Sequence, residues 1–317
     1  MKKKKNKKPK QLFSKKQFFV FLFFSFIFIA STALALTSLE SLETSGVNEK
    51  TFSQRPILKK GTSTFPVISA QSVLAVDVDS GTTLYEKNPD TLLLPASTTK
   101  IITALVAMDY YGSNDALVVN GVVVEGQKMG LIKGEKMKFE DLLYGLLIFS
   151  ANDAAEVLAD NYPGGRETFI VAMNLKAKEL NLTNTHFVNP SGLDGFGHVS
   201  TARDLVRVSS YAMKNKNFAK IVATKEYDVI NGDGKISHRL ANINELVGTV
   251  DGVMGVKTGW TENARENLVT YVKRNDKGIM IALLGSQDRF GETKELIDWI
   301  FDNYTWEDVK MGFSYSP

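Results

Sequence analysis

The chain has 317 residues, 44% hydrophobic and 23% charged, which is enough to bury a sizeable core as one large domain or two. It contains no cysteine, which excludes disulfides and thiol catalysis, and its three histidines (His186, His198 and His238) form no zinc-binding pattern. Nine of the 38 basic residues lie in residues 1–17, leaving 29 against 35 acidic residues, so the net charge of +3 gives no ground for nucleic-acid binding.

Residues 1–17 form a basic segment without an acidic residue. Residues 18–36 come next and carry no charge at all. At 1.5 Å per residue this run spans roughly 28 Å, close to the thickness of a bilayer's hydrocarbon core. The flanking lysines place its start in the cytoplasm, so the chain beyond residue 36 is exported. The run reads either as an uncleaved anchor or as a removable signal peptide, since Ala33-Leu34-Ala35 has the pattern of a cleavage site. Residues 37–65, rich in Ser, Thr, Glu, Gly and Lys, read as a linker.

The folded domain is expected over residues 66–304, with a short tail at 305–317. Residues 72–78 and 82–86 flank the turn Asp79-Ser80-Gly81 and read as a hairpin. A helix then starts near Ser97, with Pro95 before it and Ser97 as its N-cap. Residues 117–125 are β-branched and read as a strand. Residues 139–149 read as a helix, with Glu140 and Asp141 early in it. Ser150-Ala151-Asn152-Asp153 breaks that run, and further helices are expected at 154–159, 166–180 and 201–213. Strands return at 256–260, 267–272 and 279–284, and an amphipathic helix at 294–304 closes the domain. Strands at both ends with helices between them predict an α+β fold: an antiparallel sheet built from N- and C-terminal strands, flanked by helices, with a helical subdomain inserted.

Three short clusters carry chemistry. Ser97 and Lys100 stand three apart, so on a helix they share a face. A serine hydroxyl becomes a nucleophile when a base takes its proton, and a lysine is such a base only when neutral. Ser150 and Asn152 sit in a break between apolar helices, where polar side chains can be presented. Lys257-Thr258-Gly259 lies on an expected strand. Taken singly, these read as a helix cap, another cap and an exposed strand. Their combination in this order is much rarer.

Ser97-x-x-Lys100, Ser150-x-Asn152 and Lys257-Thr258-Gly259 resemble the three motifs of the penicillin-binding protein and serine β-lactamase superfamily. Within it the chain resembles the low-molecular-mass D-alanyl-D-alanine carboxypeptidases, serine peptidase family S11. Leu84-Tyr85-Glu86-Lys87-Asn88, Asn189-Pro190-Ser191-Gly192-Leu193 and Ser200-Thr201-Ala202-Arg203-Asp204 resemble further blocks of that family. The resemblance implies a fold like that of DD-peptidases and β-lactamases. It implies a penicillin-sensitive hydrolase that removes the terminal D-alanine from peptidoglycan stem peptides through an acyl-enzyme, with no metal and no cofactor. It implies Ser97 as nucleophile, Lys100 as general base, Ser150 as proton relay between Lys257 and the leaving amine, and Asn152 as an orienting amide. The backbone N–H groups of Ser97 and Trp260 would form the oxyanion hole. Lys257, Thr258 and Arg289 would receive the substrate carboxylate, and Gly259 would let substrate backbone approach. The Lys257 ammonium and burial are both expected to lower the Lys100 pKa.

Peptidoglycan stem peptides and β-lactam antibiotics are thus the expected partners, with the membrane contacted through the N-terminal segment and no nucleic acid. The domain is expected outside the cytoplasmic membrane, anchored there, or secreted if the segment is cleaved. A β-lactamase would need an E-x-x-L-N loop, which the chain does not contain. An endopeptidase of the same family and an inactive wall-binding protein are the other readings. Two departures stand out. Ala264-Arg265 occupies a place where the family has Ala-Gly. The chain also ends too soon after the domain for a C-terminal β-rich domain or anchoring helix, which favours the N-terminal segment as anchor.

Overall fold

A computed structural model describes residues 54–308 except 63 and 122. The basic segment, the apolar run 18–36, most of the linker and most of the tail lie outside the described residues. Among the described residues no helix is long and apolar enough to cross a membrane.

The fold is built on β10 (Lys277–Ser286). Its side chains alternate between two buried faces. Ile279, Ile281 and Leu283 enter one apolar core, and Met280, Ala282 and Leu284 enter the other. A strand buried on both faces belongs at the centre of a covered sheet. Accordingly β10 pairs antiparallel with β2 (Ser72–Asp77) on one side and β9 (Arg265–Arg274) on the other. With β3 (Thr83–Lys87) and β8 (Val253–Thr261) at the edges, the order is β3-β2-β10-β9-β8. N- and C-terminal strands thus share one antiparallel sheet, as expected.

The C-terminal helix Arg289–Asn303 covers the first face with Leu296, Ile297 and Ile300. It starts five positions before the expected boundary, because Asp288 caps it by accepting from the Gly291 N–H at 2.9 Å. The helical body covers the second face. At its centre lies the helix Lys100–Tyr110, buried all round from Lys100 to Ala107. Around it pack Phe139–Leu147, Asn152–Asp160, Gly165–Glu179 and Ala202–Ala212. Thr201 caps the last of these through the Asp204 N–H, 3.1 Å away.

Three local expectations change. Ser97 is no N-cap: residues Ala96–Thr99 form a 3-10 turn ahead of the helix, closed by Thr98 N–H and Oγ1 donating to Pro95 O at 3.2 and 2.6 Å. The strand expected at 117–125 is only Ala116–Val118, paired with Lys136–Lys138. Asn120-Gly121, with Gly121 at φ 94°, turns the chain away from its partner. The stretch expected as linker is structured from Gln54, with Arg55–Leu58 pairing with Tyr304–Glu307. A short helix, Lys216–Val222, capped by Asn215, and a hairpin, Glu226–Ile230 with Ser237–Ala241, have no counterpart among the elements expected from sequence.

Candidate active site

The 3-10 turn carries Ser97 to the edge of a cleft of about 570 Å³. Ser97, Ser150, Asn152, Thr258, Gly259, Trp260 and Arg289 all line it. The three clusters are far apart in sequence, yet the fold brings them together. Lys100 and Lys257 lie under the cleft wall, 0% and 1% exposed.

The Ser97 turn is held from three sides. Asn267 of β9, fully buried, donates to Leu94 O at 2.9 Å and accepts from the Gly285 N–H at 2.8 Å, which ties the approach to Ser97 to the sheet. Gly259 packs on one flank and Gly192 on the other. A Cβ at Gly259 would lie 3.1 Å from Pro95 O and 3.2 Å from Ser97 N. A Cβ at Gly192 would lie 2.0 Å from Ala96 O, and the residue has φ 87°. Gly192 is therefore required by close approach and by its backbone conformation, whereas a side chain at Gly259 asks its neighbours to give by a few tenths of an ångström.

Lys100 Nζ donates to Ser97 Oγ at 2.9 Å, to Asn152 Oδ1 at 2.6 Å and to the Ser191 carbonyl. All three donors of the ammonium are thus used. Burial lowers its pKa to about 7, while the carboxylates of Glu156 and Asp153 oppose the fall. The expected repulsion from Lys257 is not what depresses Lys100. It appears on Lys257, which is held well below the usual lysine range by burial first, then by Lys100 and Arg289. A hydroxyl at hydrogen-bond distance from an amine titrating near neutrality can lose its proton to that amine.

Asn152 also supports the opposite wall. Its Nδ2 donates to Glu125 O at 2.7 Å, and its N–H donates to Gln127 O at 2.7 Å. Asp153, next in sequence and buried, accepts from the N–H groups of Met129, Gly130 and Leu131 at 3.1, 2.9 and 3.1 Å. Ser150 is buried at φ 62°, an uncommon conformation for serine. Lys257 Nζ donates to Thr258 O at 3.1 Å, and Ser150 and Lys257 make no hydrogen bond to each other. Arg289 donates from Nη1 to Gly259 O at 3.0 Å, lies over the Phe290 ring and keeps a buried Nε without a partner.

Sequence reasoning assigns no role to several residues that build this site. Ser191 supplies a carbonyl to Lys100. Asn189 shapes the turn that presents it, accepting from the Gly192 N–H at 2.7 Å and donating to Leu193 O at 2.8 Å. Asn-Pro-Ser-Gly is turn chemistry, so a turn is legible there, but not what it faces. His198, buried, accepts from the Val188 N–H at Nδ1, so Nε2 donates to Thr99 Oγ1 at 2.8 Å; burial lowers its pKa to about 4, and it stays neutral.

Residues 59–288 match the family model Peptidase_S11, D-alanyl-D-alanine carboxypeptidase. The chain is 33% identical over 245 residues to the D-alanyl-D-alanine carboxypeptidase DacF of Bacillus subtilis, covering 74% of this chain and 63% of that protein. It is 30% identical over 273 residues to a D-alanyl-D-alanine endopeptidase of Pseudomonas aeruginosa, covering 84% and 88%. The crystal structure of the Streptomyces K15 DD-transpeptidase superposes with a TM-score of 0.71 at 32% identity, covering 76% of this chain and all of that one.

Proposed function

The chain belongs to the D-alanyl-D-alanine carboxypeptidase family of serine peptidases, and on that premise we propose that it removes the terminal D-alanine from peptidoglycan stem peptides through an acyl-enzyme at Ser97. The observation that carries this reading is the 2.9 Å contact between Ser97 Oγ and a fully buried Lys100 whose pKa is about 7.

In the first step neutral Lys100 takes the Ser97 proton as Oγ attacks the carbonyl carbon of the penultimate residue. The carbonyl oxygen gains the electron pair, and the N–H groups of Ser97 and Trp260 stabilise it. The C–N bond then breaks, and the proton that Lys100 took from Ser97 passes through Ser150, beside Lys257, to the leaving D-alanine amine, which leaves Lys100 neutral again. Water attacks the resulting ester while Lys100 accepts its proton; the C–Oγ bond then breaks, Lys100 returns that proton to Ser97 Oγ, and both residues are restored. Asn152 holds Lys100 in line. Thr258 and Arg289 receive the terminal carboxylate. A β-lactam reacts in the first step and stays attached.

The relative named as an endopeptidase supports a second reading, cleavage of crosslinks. Digestion of a defined crosslinked muropeptide beside an uncrosslinked pentapeptide separates the two. We place the domain outside the cytoplasmic membrane, held by residues 18–36. The direct test is release of free D-alanine by the full-length protein from a pentapeptide ending in D-Ala-D-Ala. Intact mass after penicillin, for wild type and Ser97→Ala, supplies the second arm. An adduct that persists in Ser97→Ala rejects Ser97 as the nucleophile.

A further inference from the structure

One loop, residues 189–194, touches Lys100, the Ser97 turn and the turn that follows Gly259 and Trp260. Its Ser191 carbonyl accepts from Lys100 Nζ. Its Gly192 lies against Ala96 and the Ser97 nitrogen. Its far end, Asp194, reaches across to the turn between β8 and β9. Asp194 Oδ1 accepts from Thr261 Oγ1 at 2.7 Å, and Oδ2 accepts from Asn263 Nδ2 at 2.9 Å. Thr261 Oγ1 itself accepts from the Ala264 N–H at 2.9 Å, so its hydroxyl proton is free to point at Asp194. That turn continues directly from Gly259 and Trp260, which form the other flank of Ser97.

The Ser97 nitrogen therefore sits between two walls, one from each segment, and Asp194 is the side chain that ties those segments together. We propose that Asp194 is a positioning residue for acylation. By fixing the 189–194 loop to the β8–β9 turn, it sets the spacing of the two walls around the Ser97 N–H and keeps the Ser191 carbonyl on Lys100. This role rests on the acyl-enzyme at Ser97. A carboxylate suits the task because its two oxygens can accept from two donors on one turn at once. Loosening the tie lets the walls drift, and small misplacements of reacting groups cost rate steeply.

The test uses the full-length protein and the rate of acylation by a fluorescent penicillin, with thermal unfolding measured in parallel. Asp194→Ala lowers the acylation rate constant about tenfold, a loss within the range of small misplacements. Thr261→Val combined with Asn263→Ala removes the same tie from the other end and gives a similar loss. Adding Asp194→Ala to that pair costs little more, because the interaction is already gone. Asp194→Asn restores most of the rate: its amide oxygen accepts from Thr261, and a turned Asn263 amide can accept its N–H. Should Asp194→Ala fail to fold, the Thr261/Asn263 variant answers the same question. Wild-type acylation rates in folded Asp194→Ala, or losses that simply multiply in the combined variant, overturn the role. A wild-type protein that penicillin does not acylate overturns the proposed function, and the role of Asp194 with it.

Discussion

Lys100 is held 2.9 Å from Ser97 at a point solvent does not reach. Burial disfavours its charged form and brings the pKa to about 7. The base of the proposed reaction must be unprotonated to act, so the rate of acylation rises with pH through about 7 and levels above it. Stopped-flow acylation across a pH series measures this. Glu156 opposes the fall in the Lys100 pKa and is paired with Arg166 at 2.7 Å. Glu156→Gln removes a negative charge and leaves Arg166 positive, so the rise moves to lower pH. A midpoint moving upward contradicts the assignment. Lys100→Arg abolishes acylation, because a guanidinium does not deprotonate in this range.

The two glycines that flank Ser97 separate folding from chemistry. Alanine at Gly192 meets backbone at 2.0 Å and must hold φ 87°. Nothing there is a flexible side-chain end, so the loop must move. Gly192→Ala costs about 3 kcal/mol or more in stability and removes acylation. Alanine at Gly259 meets Pro95 O at 3.1 Å and the Ala96 Cβ at 3.2 Å, and needs only a few tenths of an ångström. Gly259→Ala keeps most of the stability and loses acylation rate. Thermal unfolding beside acylation kinetics distinguishes the two. Equal losses of stability in both variants count against this division.

Sequence marks Gly259 for close approach of substrate, and the structure adds that it also meets the Ser97 turn. Nothing local in sequence announces that the partner of Gly192 is Ala96, because the two are far apart in the chain and meet only in the fold. The same holds for the sheet. The short, continuous apolar run 279–284 is enough to mark a buried strand, but only the pairing of β10 with β2 joins the two ends of the chain. The three motifs are legible because each is short and each residue type has few chemical uses. The supports are not, because a backbone carbonyl such as that of Ser191 leaves no mark in the choice of side chain. The hairpin Glu226–Ile230 with Ser237–Ala241 has strands of only five residues, and one of its buried positions is His238, a residue type that does not mark a buried strand face.

Arg265 adopts φ 59°, a conformation that favours glycine. An L-residue in this region costs about 1–2 kcal/mol, and glycine gives back part of that in the unfolded chain. Arg265 is exposed, and its side chain makes no ion pair among the described residues. Arg265→Gly therefore stabilises the protein by about 0.5–1 kcal/mol, a rise of roughly 1–4 °C in Tm for a domain of this size. A fall in Tm would show that Arg265 makes an interaction worth more than the strain it bears.

Arg289 is the proposed receiver of the terminal carboxylate, and its surroundings suit that task. The N-terminal turn of its helix favours negative charge. Its own backbone N–H is not open to a ligand, because it already donates to Glu266 Oε2 at 2.9 Å. Nη1 is fixed on Gly259 O, which aims the guanidinium at the strand where substrate would lie. Nε is buried and unpartnered, and a buried donor left unpaired is costly until something accepts from it. A charged hydrogen bond of this kind contributes about 1.5–3 kcal/mol, so Arg289→Leu lowers kcat/KM for a D-Ala-D-Ala peptide by about 10- to 100-fold. The same peptide with its terminal carboxyl amidated has no carboxylate to lose, so wild type and variant turn it over at similar, low rates. Steady-state kinetics on the two substrates measures the difference. If Arg289→Leu slows both substrates alike, the guanidinium supports the β8 strand through Gly259 and does not bind the carboxylate.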